Sequence, residues 1–225
     1  LQRPNAFLSE AIGHINATLN GGPDAVYAFR EMIMLQLGRT ILDTKSFVTV
    51  QSADWRSNFV IAPPPRSLNN IALASEGSEI YTALKLNNGH FLDLQFSLFV
   101  DKSDNFLKVE SSRMAYQADD TGHDQFFRFE MNRQPQTHYP FSHLHVNGNW
   151  KPGKAERPIE MEKIHFPIAR PTIENLIRVL VYDFNVPSHV QPKVFEPVLR
   201  KCEQAFLKVA RTTSKEPQPL PPEDQ

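Results

Sequence analysis

Between Leu92 and Val100 the chain reads LDLQFSLFV, in which Leu92, Leu94, Phe96, Leu98 and Val100 alternate with Asp93, Gln95 and Ser97. A repeat of two residues buries one face of a strand and leaves the other polar, and a helix cannot satisfy it. Turn signals bracket the run. Asn87-Asn88-Gly89 precedes it, where Asn and Gly tolerate positive φ, and Asp101-Lys102-Ser103-Asp104-Asn105 follows. Residues 80–86, 90–100 and 106–116 are therefore expected to pair as adjacent antiparallel strands. A polar loop, Gln117 to Asp124, leads to a strand over Gln125 to Met131, and further strands are predicted at Phe141 to Val146 and Met161 to Phe166. Short consecutive strands without helical crossovers favour an antiparallel meander over βαβ units.

Helical patterns lie on either side. Ala6 to Leu19 ends at Asn20-Gly21-Gly22, and Pro23-Asp24 opens a second segment in which Val26, Phe29, Ile33 and Leu37 form one apolar stripe. Ser46 to Gln51 and Asn58 to Ala62 read as short strands, and Pro63-Pro64-Pro65 as a stiff connection. Thr172 to Phe184 carries helix-boundary residues at both ends, and Val194 to Arg211 presents Val198, Cys202, Ala205 and Val209 at helical spacing. The expected fold is α+β, an antiparallel meander sheet with N-terminal helices and two C-terminal helices. Residues 1–76 form a helical region packed on the core, 77–211 the sheet and closing helices, and 212–225 a proline-rich disordered tail. The expected core comprises Leu92, Leu94, Phe96, Leu98, Val109, Phe127, Phe129, Leu144, Val146, Ile164 and Ile177.

Composition narrows the partners only a little. With 40% hydrophobic and 22% charged residues the chain is globular, and a formal net charge of −1 excludes the broad basic surface of a non-specific nucleic-acid binder. A lone cysteine, Cys202, forms neither an intramolecular disulfide nor a Cys-rich metal site. No apolar run approaches the roughly 18 residues that cross a bilayer, and the opening residues lack the pattern of a secretory signal, so a cytoplasmic protein without membrane contact is expected.

Chemistry concentrates in FFRFEMNRQPQTHYPFSHLHV and MEKIHFPIARP, which hold His138, His143, His145 and His165, four of the eight histidines. In each of three strands the apolar residues occupy one parity: Phe127, Phe129 and Met131; Leu144 and Val146; Ile164 and Phe166. Arg128, Glu130, His143, His145 and His165 then share the opposite, accessible face, and Lys108 and Glu110 extend it by the same alternation. Three readings follow. His-x-His on a strand aims two imidazoles the same way, and a third metal ligand is available in His165, His138 or Glu130. Alternatively the histidines serve acid/base chemistry while Arg128 or Arg170 holds a phosphate. The plainest reading is a solvated sheet face whose polar residues have no further role. HExxH, a Gly-rich phosphate loop and a GxSxG elbow are all absent from the sequence.

The order FRFE, a loop with His138, Pro140 and then HLHV resembles the core of the TumE-like toxin family of bacterial toxin–antitoxin modules. There an F-R-[YF]-[DE] strand precedes a histidine-rich strand, and a helix of the type TIENLIRVL commonly follows. The likeness covers about Phe106 to Asp183. The chain departs from it in the sparser HLH motif and in the longer segment between Gly148 and Met161. The resemblance implies a nucleic-acid-directed activity, with Arg128, Glu130, His138, His143 and His145 at the matching positions. The expectation is an enzyme acting on RNA or a nucleotide, with His143, His145, His165, Arg128 and Glu130 catalytic and His138, Arg170 and Lys108 binding substrate. The alternative is a non-catalytic defence or interaction component that binds a protein partner or ligand on the same face. Neither reading specifies a cofactor.

Overall fold

The computed structural model describes residues 4–43, 45–52, 58–64, 83–135, 139–150 and 159–210. Helices α1 (Pro4–Leu19) and α2 (Asp24–Arg39) lead the chain and α3 (Ile173–Tyr182) and α4 (Pro192–Ala210) close it. Between them run β1 (Thr49–Ser52), β2 (Asn58–Ala62), β3 (Leu84–Lys85), β4 (Phe91–Val100), β5 (Leu107–Gln117), β6 (Gln125–Asn132), β7 (Ser142–Val146), β8 (Asn149–Trp150), β9 (Ile159–Glu160) and β10 (Phe166–Pro167). Among the described residues, eight strands form one sheet in the order β1-β2-β4-β5-β6-β7-β10, with β3 also on β4, and β8 pairs β9 separately. Every pairing is antiparallel. The α+β meander expected from the alternation is the fold observed.

The turn chemistry explains the hairpins. Gly89 adopts φ +87° and its N–H donates to the Leu86 carbonyl at 3.0 Å, which closes the turn that Asn-Asn-Gly announced. At the start of α3, Thr172 is extended and its Oγ1 accepts from the Asn175 N–H at 3.1 Å, satisfying one of the donors a helix start leaves open.

The apolar face of the sheet carries the helices. Phe96 of β4 packs against Phe29 of α2 and Phe206 of α4, with ring centroids 5.7 and 6.0 Å away, and those two rings are 5.9 Å apart. All three rings are fully buried. Burying large aromatics is the main favourable contribution to such a layer contact. The opposite face, bearing Asp93, Gln95, Arg113, Arg128 and Glu130, is left for chemistry.

Several expectations need correction. Met161 to Phe166 is not a strand: Met161–Lys163 is a 3₁₀ turn and only Phe166–Pro167 pairs, with Leu144 and His143. Only the tail of the run reaches the second edge of β7, and Pro167 there has no N–H to carry the ladder on. Phe129, Leu144, Val146 and Ile164 are half-buried, Phe129 and Leu144 packing against the core, whereas Leu92, Leu94, Phe96, Leu98, Val109, Phe127 and Ile177 are buried. The segment 46–62 supplies β1 and β2 to the same sheet. Residues 80–82, Pro65 and the 212–225 tail lie outside the described residues. No helix among the described residues is long and apolar enough to cross a membrane.

Candidate functional site

Strands β6 and β7 set the geometry. Their register puts Arg128 opposite His145 and Glu130 opposite His143, so four polar side chains emerge as neighbours on one face. Glu130 is the hub. Its Oε1 lies 2.8 Å from Arg128 Nε, and its Oε2 lies 3.2 Å from His143 Nε2 and 3.3 Å from His145 Nε2. The residue opposite Glu130 on the other side is Arg113 of β5, whose Nη2 reaches Asp93 Oδ2 of β4 at 3.3 Å.

His165, on the segment just before β10, completes a cluster of imidazoles. The ring centroids of His143 and His145 are 4.9 Å apart, those of His143 and His165 4.9 Å, and those of His145 and His165 4.4 Å. One nitrogen from each ring lies within 4.8 Å of the other two. Tyr139 covers the group, its ring 4.3 Å from that of His165. His143 and His145 are only 7% and 6% exposed, so the face expected to be accessible is instead the floor of a recess. The cost of burying imidazoles is offset by polar partners: His143 Nδ1 donates to the Pro140 carbonyl at 3.1 Å, and its Nε2 faces Glu130. The recess is an open cavity of about 460 Å³ lined by all five of the expected catalytic residues together with Gln95, Ser111, Arg113 and Tyr139. A second hollow of about 200 Å³ adjoins it, sharing Arg128 and His145 and continuing past Gln125, His123 and Asn147.

The charges hold one another in place. Burial alone would raise the Glu130 carboxyl, but Arg128, His145, Arg113 and His143 outweigh it and keep it below its ordinary value. Asp93 goes the other way, pushed up by burial against the pull of Arg113 and Arg128. Burial, then His145 and His143, depress His165. Its ring is held toward the neutral form, which presents a lone pair.

Two expected substrate-binding residues are not among those that line the recess. Lys108 is 4% exposed, and its Nζ lies 2.5 Å from Asp101 and 2.9 Å from Asp104, where it ties the β4–β5 turn. Arg170 stacks on Phe141, 5.6 Å from the ring centroid, and reaches the Val109 carbonyl at 3.4 Å and Met131 Sδ at 3.7 Å. Arg170 is not among the residues that line the recess, although Met131, which it touches, is. His138 lies outside the described residues.

Conversely, Arg113, Asp93 and Tyr139 escaped the sequence reading. Arg113 was hidden by a β-bulge: Ser97 pairs with Ser111 but Leu98 pairs with Val109, which leaves Glu110 without a partner in the register. The extra residue inverts the parity of β5, so odd-numbered Arg113 joins the polar face although odd-numbered Val109 is core. Asp93 was visible in the alternation of β4, whereas Tyr139 is in a loop with no period to reveal it. Comparison with family models, with curated proteins and with solved structures finds no match for this chain.

Proposed function

We propose that the protein is an enzyme that cleaves phosphodiester bonds in nucleic acid, working through the recess on the polar face of the sheet. The observation that carries this reading is the meeting of three imidazoles with the guanidinium groups of Arg113 and Arg128 around one open cavity. Phosphodiester cleavage needs a base to deprotonate the attacking oxygen, an acid to protonate the leaving oxygen and cations to hold the charge that builds on phosphorus. Imidazoles take the first two roles near neutral pH, and arginine forks match the phosphate oxygens. Arg113 is 40% exposed at its side chain and spends one contact on Asp93, which leaves donors for a ligand.

An extended substrate is favoured over a mononucleotide. The second hollow continues from Arg128 and His145, so a chain could lie along both with its scissile phosphate over the histidines. The segment that resembles the TumE-like toxins is the same one that supplies Arg128, Glu130, His143 and His145. A cytoplasmic location agrees with such a substrate.

The test is cleavage of single-stranded RNA and DNA by the purified chain, compared with the variants His145→Gln and Arg128→Gln. Cleavage should fall about 10²–10⁴-fold in His145→Gln, the usual contribution of a positioned acid or base, with the unfolding midpoint retained. If neither polymer is cleaved, or both variants cleave like the parent, the reading is wrong; retained nucleic-acid binding without cleavage would point to the interaction role instead.

A further inference from the structure

We infer that His143, His145 and His165 form a binding site for one divalent first-row transition-metal ion, with Zn²⁺ the best match, and that Glu130 stands beside it as the acidic partner. The inference rests on the proposed cleavage site and alters the imidazoles' part in it: with the ion bound they would be its ligands, and Glu130 would be the group beside it left to take up a proton.

The first argument is about lone pairs. A carbonyl oxygen only accepts, so the Nδ1 of His143, 3.1 Å from the Pro140 carbonyl, carries a hydrogen. In the neutral ring Nε2 then presents a lone pair to Glu130 Oε2, 3.2 Å away. His145 Nε2 lies 3.3 Å from the same oxygen. The lone pairs of His143 Nε2 and Glu130 Oε2 face each other, and a cation between them, either a proton or a metal ion, reconciles them. A proton joins two of these atoms; a metal ion joins all the rings at once.

Distance makes the second argument. In a tetrahedral zinc site with bonds of about 2.0–2.1 Å, neighbouring ligand atoms are about 3.3 Å apart. The three imidazole nitrogens lie mutually within 4.8 Å, close enough for one ion to draw them together. Third, the outer contacts are those of an oriented ligand set. The Pro140 carbonyl fixes the His143 tautomer, as metal-bound imidazoles generally require from a second partner. Nitrogen donors without thiolate favour Zn²⁺ and its neighbours over Ca²⁺ or Mg²⁺. Finally, a recess of about 460 Å³ at the site leaves room for a water or substrate atom as a further ligand.

The experiment uses the full chain, stripped with a chelator and titrated with Zn²⁺ alone by calorimetry. One ion should bind per chain, and Co²⁺ in its place should give the visible absorption of a tetrahedral site. His165→Ala should weaken binding at least about 100-fold, beyond the 10–100-fold typical of losing an outer partner, without changing the unfolding midpoint of the metal-free protein. His145→Gln repeats the measurement should His165→Ala fail to fold. Binding no tighter than millimolar, or equal affinity in parent and variants, overturns the metal site. Cleavage that survives the chelator while Zn²⁺ fails to bind sinks the metal and spares the proposed activity. Tight Zn²⁺ binding in a protein that cleaves nothing does the reverse.

Discussion

Glu130 faces His143 across the β6–β7 pair, its Oε2 3.2 Å from the imidazole Nε2. The same carboxylate bridges to Arg128 and His145, so one side chain balances three cationic or potentially cationic groups. Glu130→Gln keeps the volume and removes the charge. Cleavage should drop by about 10²-fold or more, as for other groups that position an acid or base. The variant is checked against RNA and by calorimetric Zn²⁺ titration, and unchanged values in both would remove Glu130 from the site.

Lys108 separates a structural cation from a functional one. Its ammonium is enclosed by Asp101 and Asp104 at the β4–β5 turn. Lys108→Met should lower the thermal midpoint and leave the KM for nucleic acid unaltered. A raised KM with an intact midpoint would return Lys108 to substrate binding.

Phe96 is where the sheet meets both α2 and α4. Phe96→Ala should cost about 3–5 kcal/mol, the range for emptying a buried aromatic site. Phe129→Ala should cost less, since Phe129 is half-buried. Urea unfolding of the two variants decides it; equal losses would mean that the half-buried position is as tightly packed as the helix-covered centre.

Glu174 gives a pH signature remote from the site. It is fully buried at the start of α3, beside Gln36 and Thr172, with Glu203 and Cys202 of α4 near it. Burial raises its carboxyl from 4.5 to about 7. The unfolded chain releases this proton more readily, so the contribution to stability is full below 4.5 and is lost as pH rises toward 7. At about 1.4 kcal/mol per pH unit the loss is roughly 3 kcal/mol. The stability difference between the parent and Glu174→Gln should shift by about that much between acid and neutral pH. A difference that stays constant across the range would contradict the buried neutral carboxyl.

The strand alternation, the Asn-Asn-Gly turn and the helix stripes were legible in the sequence because each is set by neighbours within a few residues. The same local rule brought Arg128, Glu130, His143 and His145 to one face, since β6 and β7 are regular and their parity holds from end to end. Parity failed where the chain left that regularity. The bulge opposite Ser97 and Leu98 turned Arg113 toward the site, and the 3₁₀ turn at Met161–Lys163 broke the expected strand ahead of His165.

By itself, then, the sequence determined the α+β class, the order of the elements and the alternating faces, because periodicity and turn residues act locally. Only the tertiary structure decided that Lys108 ties a turn, that Arg113 and Tyr139 line the recess and that Asp93 holds Arg113 there. It alone also sank His143 and His145 to 7% and 6% exposure. Each of those outcomes depends on what lies across the register or over the face, where strands and loops distant in sequence supply the partners, and no local repeat encodes such a neighbour.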